Sequence, residues 1–175
     1  FISEERLGHA TVPDFPLSEN VVLTRHAVDP DLRNGPLIDR AVSRKRVAEI
    51  TERFDVRKSG ENPPARALSG GNLQKFIIGR EVLSDPKLVV VNQPTWGVDA
   101  GSAARIRQAL IDLAAAGAAV LVISQDLDEL FEFCDRLAAI AEGRLSDFAP
   151  VAETDRNAIG LKMSGIFDTT QGAAA

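Results

Sequence analysis

Two unbroken apolar runs, Leu88-Val89-Val90-Val91 and Ala119-Val120-Leu121-Val122-Ile123, constrain the fold of this chain more than any other feature. Each is continuous and rich in β-branched residues, and the first follows the turn signal Asp85-Pro86. Such runs suit strands buried on both faces. Between them a helix of about 16 residues is expected, beginning near Gly101 and ending by Gly117. Strands alternating with helices predict a parallel α/β sheet in the second half. Farther on, Leu127 to Phe133 predicts a short helix and Arg136 to Ala141 a third strand. Glu142-Gly143 then reads as a tight turn into Arg144-Leu145-Ser146. Residues 153–163 predict a last helix, and the Gly-Ala-Ala-Ala tail is expected to be disordered.

The first half reads as mainly helical. A helix is expected from near Leu17 to about His26, after Pro13 and Pro16 and around Ser18-Glu19-Asn20. Asp29-Pro30 to Gly35-Pro36 reads as a linker. Ile38, Val42, Val47, Ile50 and Phe54 then mark an amphipathic helix over roughly 37–54. Its basic run Arg44-Lys45-Arg46 is most simply a solvated face. Phe1-Ile2-Ser3 reads as the end of a strand whose start is missing. Because Met163 is the only methionine, the chain is expected to be a fragment. No internal repeat is found.

Bulk properties exclude several classes. With 175 residues, 45% of them hydrophobic and 26% charged, the chain can build one domain with a real core. A net charge of −5 gives no electrostatic case for nucleic acid or an anionic membrane surface. Cys134 stands alone, which excludes an internal disulfide and suits a reducing compartment. The apolar run from Leu113 to Ile123 is too short to span a bilayer, and no signal peptide is visible. His9 and His26 have no partner at ligand spacing, so no metal site is expected. Ser69 is not a hydrolase nucleophile, because no G-x-S-x-G elbow surrounds it.

The segment Leu68-Ser69-Gly70-Gly71-Asn72-Leu73-Gln74-Lys75 reads as a loop delivering a helix N-terminus. Ser69 is a favoured N-cap, its hydroxyl able to take a backbone N–H of the first turn. Gly70 and Gly71 leave the first-turn amides without side-chain cover, so a ligand could approach the backbone closely. Leu73, Phe76, Ile77 and Leu83 behind them form one buried stripe. Unpaired amides and the helix dipole make such a start a good anion site. A capped start after a flexible loop is the plainer alternative.

In doubly wound sheets, ligand chemistry gathers at the carboxyl ends of strands. Here those ends are Asn92-Gln93-Pro94-Thr95 and Ser124-Gln125-Asp126. Asp99, in Trp96-Gly97-Val98-Asp99, is either a contact residue or the N-cap of the following helix. Trp96 is either an interface residue or a core residue. Glu4-Glu5-Arg6 is either functional or a solvated charge cluster.

The octapeptide Leu68–Lys75 resembles the signature motif of ABC-type ATPases, in the form seen in sugar and nucleoside importers with two nucleotide-binding domains. The resemblance runs from about Phe1 to Ser146 and implies the C-terminal part of a second such domain. It implies an α/β P-loop NTPase fold: a helical signature subdomain over 1–84, part of the RecA-like core over 85–165, and a tail over 166–175. The first strand end falls where the family has its Walker B carboxylates, one supporting Mg²⁺ and one polarising the attacking water. Here Asn92 and Gln93 stand there, and Gln125 stands where many members place a histidine. An amide can orient water but cannot take a proton at neutral pH. Gln93 and Gln125 therefore hold degenerate catalytic positions. Asp99 falls in the family's D-loop and Glu4-Glu5-Arg6 near its Q-loop. No G-x-x-x-x-G-K-[ST] occurs, so the phosphate loop is expected upstream.

The resemblance further implies ATP and Mg²⁺ as ligands of the parent, with Ser69, Gly70, Gly71, Asn72, Asn92 and Asp99 as nucleotide-contact candidates. It implies a partner nucleotide-binding domain, transmembrane permease subunits and a place on the cytoplasmic face of the membrane. The implied role is supply of the signature motif to the partner's ATP site, the chain's own site being degenerate and the fragment inactive alone. A non-catalytic interaction module is the alternative. An edge lacking its neighbouring strands could also let the chain self-associate.

Overall fold

In the computed structural model, which describes residues 1–167, acidic side chains start most of the helices. Helix α1 (Leu17–Arg25), with Pro16 at its N-cap, is one of two exceptions. It is tied to the preceding loop by Asn20, which is fully buried. The Asn20 side chain accepts from the Val12 amide at 2.8 Å and donates to the Val12 and Phe15 carbonyls at 3.1 and 3.0 Å. The expected linker after α1 is ordered. A 3-10 turn (Pro30–Leu32) leads into β1 (Arg33–Asn34), which pairs antiparallel with β2 (Leu37–Ile38) around Gly35-Pro36. Helix α2 (Arg40–Arg53) then starts where Asp39 accepts from the amides of Ala41 and Val42 at 2.9 and 3.1 Å. Arg44 and Lys45 are exposed as expected, but Arg46 is half-buried and its Nε donates to Asp29 at 2.8 Å. That part of the basic run holds the hairpin's approach against α2.

Helix α3 (Gly70–Val82) occupies the core of this part of the chain. From Leu73 to Arg80 every residue is buried, so a single stripe understates its burial. Its polar members are satisfied. Arg80 donates to Glu81 at 2.6 Å, to the Ala10 carbonyl at 2.9 Å and to the Asn20 carbonyl at 3.2 Å. Where α3 crosses α2, a Cβ on Gly79 would lie 2.7 Å from the Phe54 ring and 2.9 Å from Ile50 Cγ2. Gly79→Ala therefore overpacks a buried crossing and is expected to cost about 1–3 kcal/mol, read as a lower urea midpoint at unchanged slope.

Strand β3 (Leu88–Asn92), helix α4 (Ala100–Ala115) and strand β4 (Ala119–Ile123) form the expected unit, with β3 and β4 parallel from Leu88↔Ala119 to Asn92↔Ile123. Ile2 lies on the other side of β3, bridged in parallel to Val91. It donates to the Val90 carbonyl at 2.8 Å and accepts from the Asn92 amide at 3.0 Å. The strands are not buried on both faces. Val89 and Val91 are buried, but Leu88, Leu121 and Ile123, which the register sets on the opposite face, are 62%, 42% and 43% exposed. The surrounding elements cover one side of the pair only.

The chain divides into two compact units, Phe1–Ile123 and a second beginning at Ser124. In the second, α5 (Leu127–Phe133) is capped by Asp126. The expected third strand is two short pieces. β5 (Arg136–Leu137) pairs antiparallel with β8 (Ala149–Pro150), and β6 (Ile140–Ala141) with β7 (Arg144–Leu145). The break falls at Ala139, whose amide donates to Ser146 Oγ at 3.0 Å. Glu142 and Gly143 both take positive φ, 49° and 74°, which makes the tight turn between β6 and β7. Helix α6 (Arg156–Met163) follows a 3-10 turn and is capped by Asp155. Of the tail expected to be disordered, 168–175 lie outside the described residues. Among the described residues no helix is long and apolar enough to cross a membrane.

Candidate functional site

Ser69 precedes α3 in extended conformation, but its side chain caps no backbone amide. Its Oγ instead accepts from Asn72 Nδ2 at 2.9 Å, while Asn72 Oδ1 accepts from the Arg57 amide at 2.8 Å. The expected hydroxyl cap is thus replaced by a side-chain bridge, and Asn72 pins the preceding loop. Ser69 claims none of the first-turn amides, and both Ser69 and Gly70 are exposed. The glycines also serve the chain's own packing. A Cβ on Gly71 would lie 3.0 Å from the Gly97 carbonyl oxygen, and one on Gly70 2.9 Å from an Arg6 guanidinium nitrogen.

Arg6 belongs to the charged cluster at the amino end, and it is not merely solvated. Its Nε donates to Gln74 Oε1 at 2.9 Å and its Nη2 donates to the Trp96 carbonyl. Burial pushes the guanidinium below its ordinary value, against the opposing charge of Glu4. Glu4 and Glu5 are exposed, and Glu5 pairs with His9 at 2.8 Å. Gln74 is only 1% exposed, and its Nε2 donates to the Pro94 carbonyl at 2.9 Å and the Gln93 carbonyl at 3.3 Å. An open groove of about 750 Å³ runs beside this network, bordered by Glu4, Arg6, Leu68, Gly70, Asn92 and Trp96.

At the end of β3, Asn92 Nδ2 approaches Glu4 Oε2 at 3.4 Å. Gln93 sits at φ 51°, and its amide donates to the Ile123 carbonyl at 2.8 Å. Trp96 is 64% exposed, which rules out the core-residue alternative. Asp99 does cap α4, accepting from the Ser102 amide at 3.0 Å and the Ser102 hydroxyl at 2.7 Å. Those two bonds hold its carboxyl below the usual range. Ser69, Gly70, Asn92 and the 93–97 turn therefore gather in the first unit. Gln125 belongs to the second unit, where it is exposed between Ser124 and Asp126. Among the described residues no group of three His, Cys, Asp or Glu side chains could hold a metal ion. Near Asn92 the donors are amides and one carboxylate, a poor match for Mg²⁺, which favours carboxylate oxygens.

No protein-family model matches the chain. A guanosine import ATP-binding protein of Bacillus subtilis is 40% identical over 173 residues, covering 99% of this chain and 34% of its own length. A glucose import ATP-binding protein of Haloferax volcanii is 37% identical over 177 residues, covering 100% of this chain and 32% of its own length. The chain spans about a third of the length of these curated relatives. Among solved structures, an ATP-binding cassette in a dimeric post-hydrolysis state with ADP and Pi superimposes with a TM-score of 0.69 at 23% identity, covering 86% of this chain and 62% of that one. The chain has the fold of an ATP-binding cassette and is similar along its whole length to import ATP-binding proteins. The bonds that Gln74 and Arg6 make were not foreseen from the sequence. The available signal was a glutamine set between Leu73 and Phe76, where an apolar stripe leaves no room for an unpaired amide.

Proposed function

We propose that this chain is part of the ATP-binding subunit of an ABC importer for a sugar or nucleoside, and that the start of α3 completes the ATP site of a partner nucleotide-binding domain. The observation that carries this reading is a helix start at which Ser69 and Gly70 are exposed and the Ser69 side chain claims no first-turn amide. Amides held at a helix N-terminus stabilise phosphate charge without reorganising as it develops. Ser69, Gly70 and Gly71 would face that phosphate, and Asn72 would hold the loop behind them.

Asn92 and Gln93 would serve the other site of the pair. Uncharged amides there can orient water but accept no proton, so that site would hold ATP with little turnover. Mg²⁺ would enter with the nucleotide rather than on a cluster built by this chain. Residues 1–84 would act as the helical subdomain and 85–165 as part of the core. Trp96 and Asp99 would lie towards the partner domain, and permease subunits would hold the assembly at the cytoplasmic face of the membrane.

The amides at Asn92 and Gln93 also favour a second reading, a non-catalytic module that serves dimerisation only. Steady-state hydrolysis by a full-length subunit carrying this chain, reconstituted with its permease, separates the two. ATP turnover is expected there, and none from the purified 175-residue chain. ATP retention without turnover by the reconstituted subunit would leave only the second reading, and Mg-ATP hydrolysis by the chain alone would overturn both.

A further inference from the structure

Arg6 stands where three parts of the first unit meet: the segment following Ile2, the start of α3, and the turn that follows β3. We propose that Arg6 and Gln74 are paired positioning residues that lock the Gln93–Gly97 turn to the start of α3. This deepens the ATP-site reading above, since it names what holds the parts of that site in register.

Three observations carry the pairing. The guanidinium uses separate nitrogens for Gln74 Oε1 and the Trp96 carbonyl, which its planar fork can reach and a lysine ammonium cannot reproduce. Gln74 uses both ends of its amide: the oxygen accepts from Arg6, and the nitrogen donates to the Pro94 and Gln93 carbonyls at 2.9 and 3.3 Å. A buried amide satisfied at both ends fixes its neighbours, because losing any one partner strands a desolvated polar group. Finally, the sequence makes room for the guanidinium on two sides. A Cβ would come within 2.9 Å of it at Gly70 and within 3.3 Å at Gly97, where φ is +68°. The cation also sits beside the positive end of α3, where the helix dipole opposes it. An arginine held there against the dipole is placed by its hydrogen bonds, with the nearby charge of Glu4 in support.

Trp96 is the only tryptophan and the chain has no tyrosine, so its fluorescence reads this turn directly. The test compares acrylamide quenching of Trp96 in the full chain with Arg6→Ala, Arg6→Lys, Gln74→Ala and the Arg6→Ala/Gln74→Ala double variant, each with its urea midpoint. Both alanine variants are expected to raise quenching to one common value that the double variant does not exceed, and Arg6→Lys to fail to restore it. Additive effects, rescue by lysine, or a lowered urea midpoint with unchanged quenching would overturn the pairing. In a full-length subunit carrying this chain, Arg6→Ala is further expected to lower kcat for ATP by about tenfold with KM unchanged. A rise in KM at unchanged kcat would overturn the positioning role. If the unmodified subunit hydrolyses no ATP, the ATP-site reading fails, while the Trp96 measurement still decides the pairing.

Discussion

Ser69→Arg in a full-length subunit carrying this chain is expected to lower single-turnover ATP hydrolysis by about a hundredfold, while Gln93→Ala leaves it within about twofold. The contrast follows from what each residue does. Ser69 is exposed at the start of α3, beside amides that its own side chain does not claim. A long side chain there fills the space an incoming phosphate would occupy. The fold should tolerate the change, because no backbone cap is removed and only the Asn72 bridge is lost. The urea midpoint should therefore move little, as for most exposed substitutions. Gln93 supplies no proton acceptor, so on the proposed reading its truncation takes little from a site that would turn over slowly. Equal losses from the two variants would show that the two sites are not asymmetric.

Arg80→Ala is expected to cost about 3–5 kcal/mol, a large part of the roughly 5–15 kcal/mol that holds a typical domain together. Arg80 is buried, and its guanidinium ties α3 to the Ala10 and Asn20 carbonyls as well as to Glu81. Alanine leaves a cavity, two desolvated carbonyls and a carboxylate without its partner. Arg80→Met fills much of the volume and should lose less, since the buried charge leaves together with its desolvation cost. Thermal melts of both variants check this, and an Arg80→Ala melt like that of the unmodified chain would refute the tie.

Elements whose cause is local were legible in the sequence. Strands β3 and β4 announce themselves by continuous branched residues, and α2, α4, α5 and α6 each begin at an aspartate that caps them. Elements decided by distant partners were not. Gly35-Pro36 reads as linker chemistry, yet it turns a hairpin because β1 and β2 pair across it. Arg136–Ala141 reads as one strand, but the bond from Ala139 to Ser146 divides it. The strand pair reads as buried on both faces because β-branched runs carry no mark of which side their own unit covers.

The site was legible to the same extent. The glycines of the helix start and the amides after β3 stand out by type and position. Asp99 was open between capping and contact, and the structure shows it capping. The hydroxyl cap expected of Ser69 gave way to Asn72, since an amide three residues on competes for the same oxygen. The Arg6–Gln74 connection spans most of the first unit, and no spacing rule reaches that far.

The bridge between Ile2 and Val91 has a consequence for how this molecule comes to be folded. It closes a loop containing α1, α2 and α3, whereas β3 and β4 are joined by the single helix α4. Closure entropy rises with loop length, and contacts between distant parts of a chain form late. Ile2 is therefore expected to dock after the core around α3 has assembled and β3 offers an edge. The Glu4–Arg6 segment, made before α1, α2 and α3, would be among the last parts to take its place.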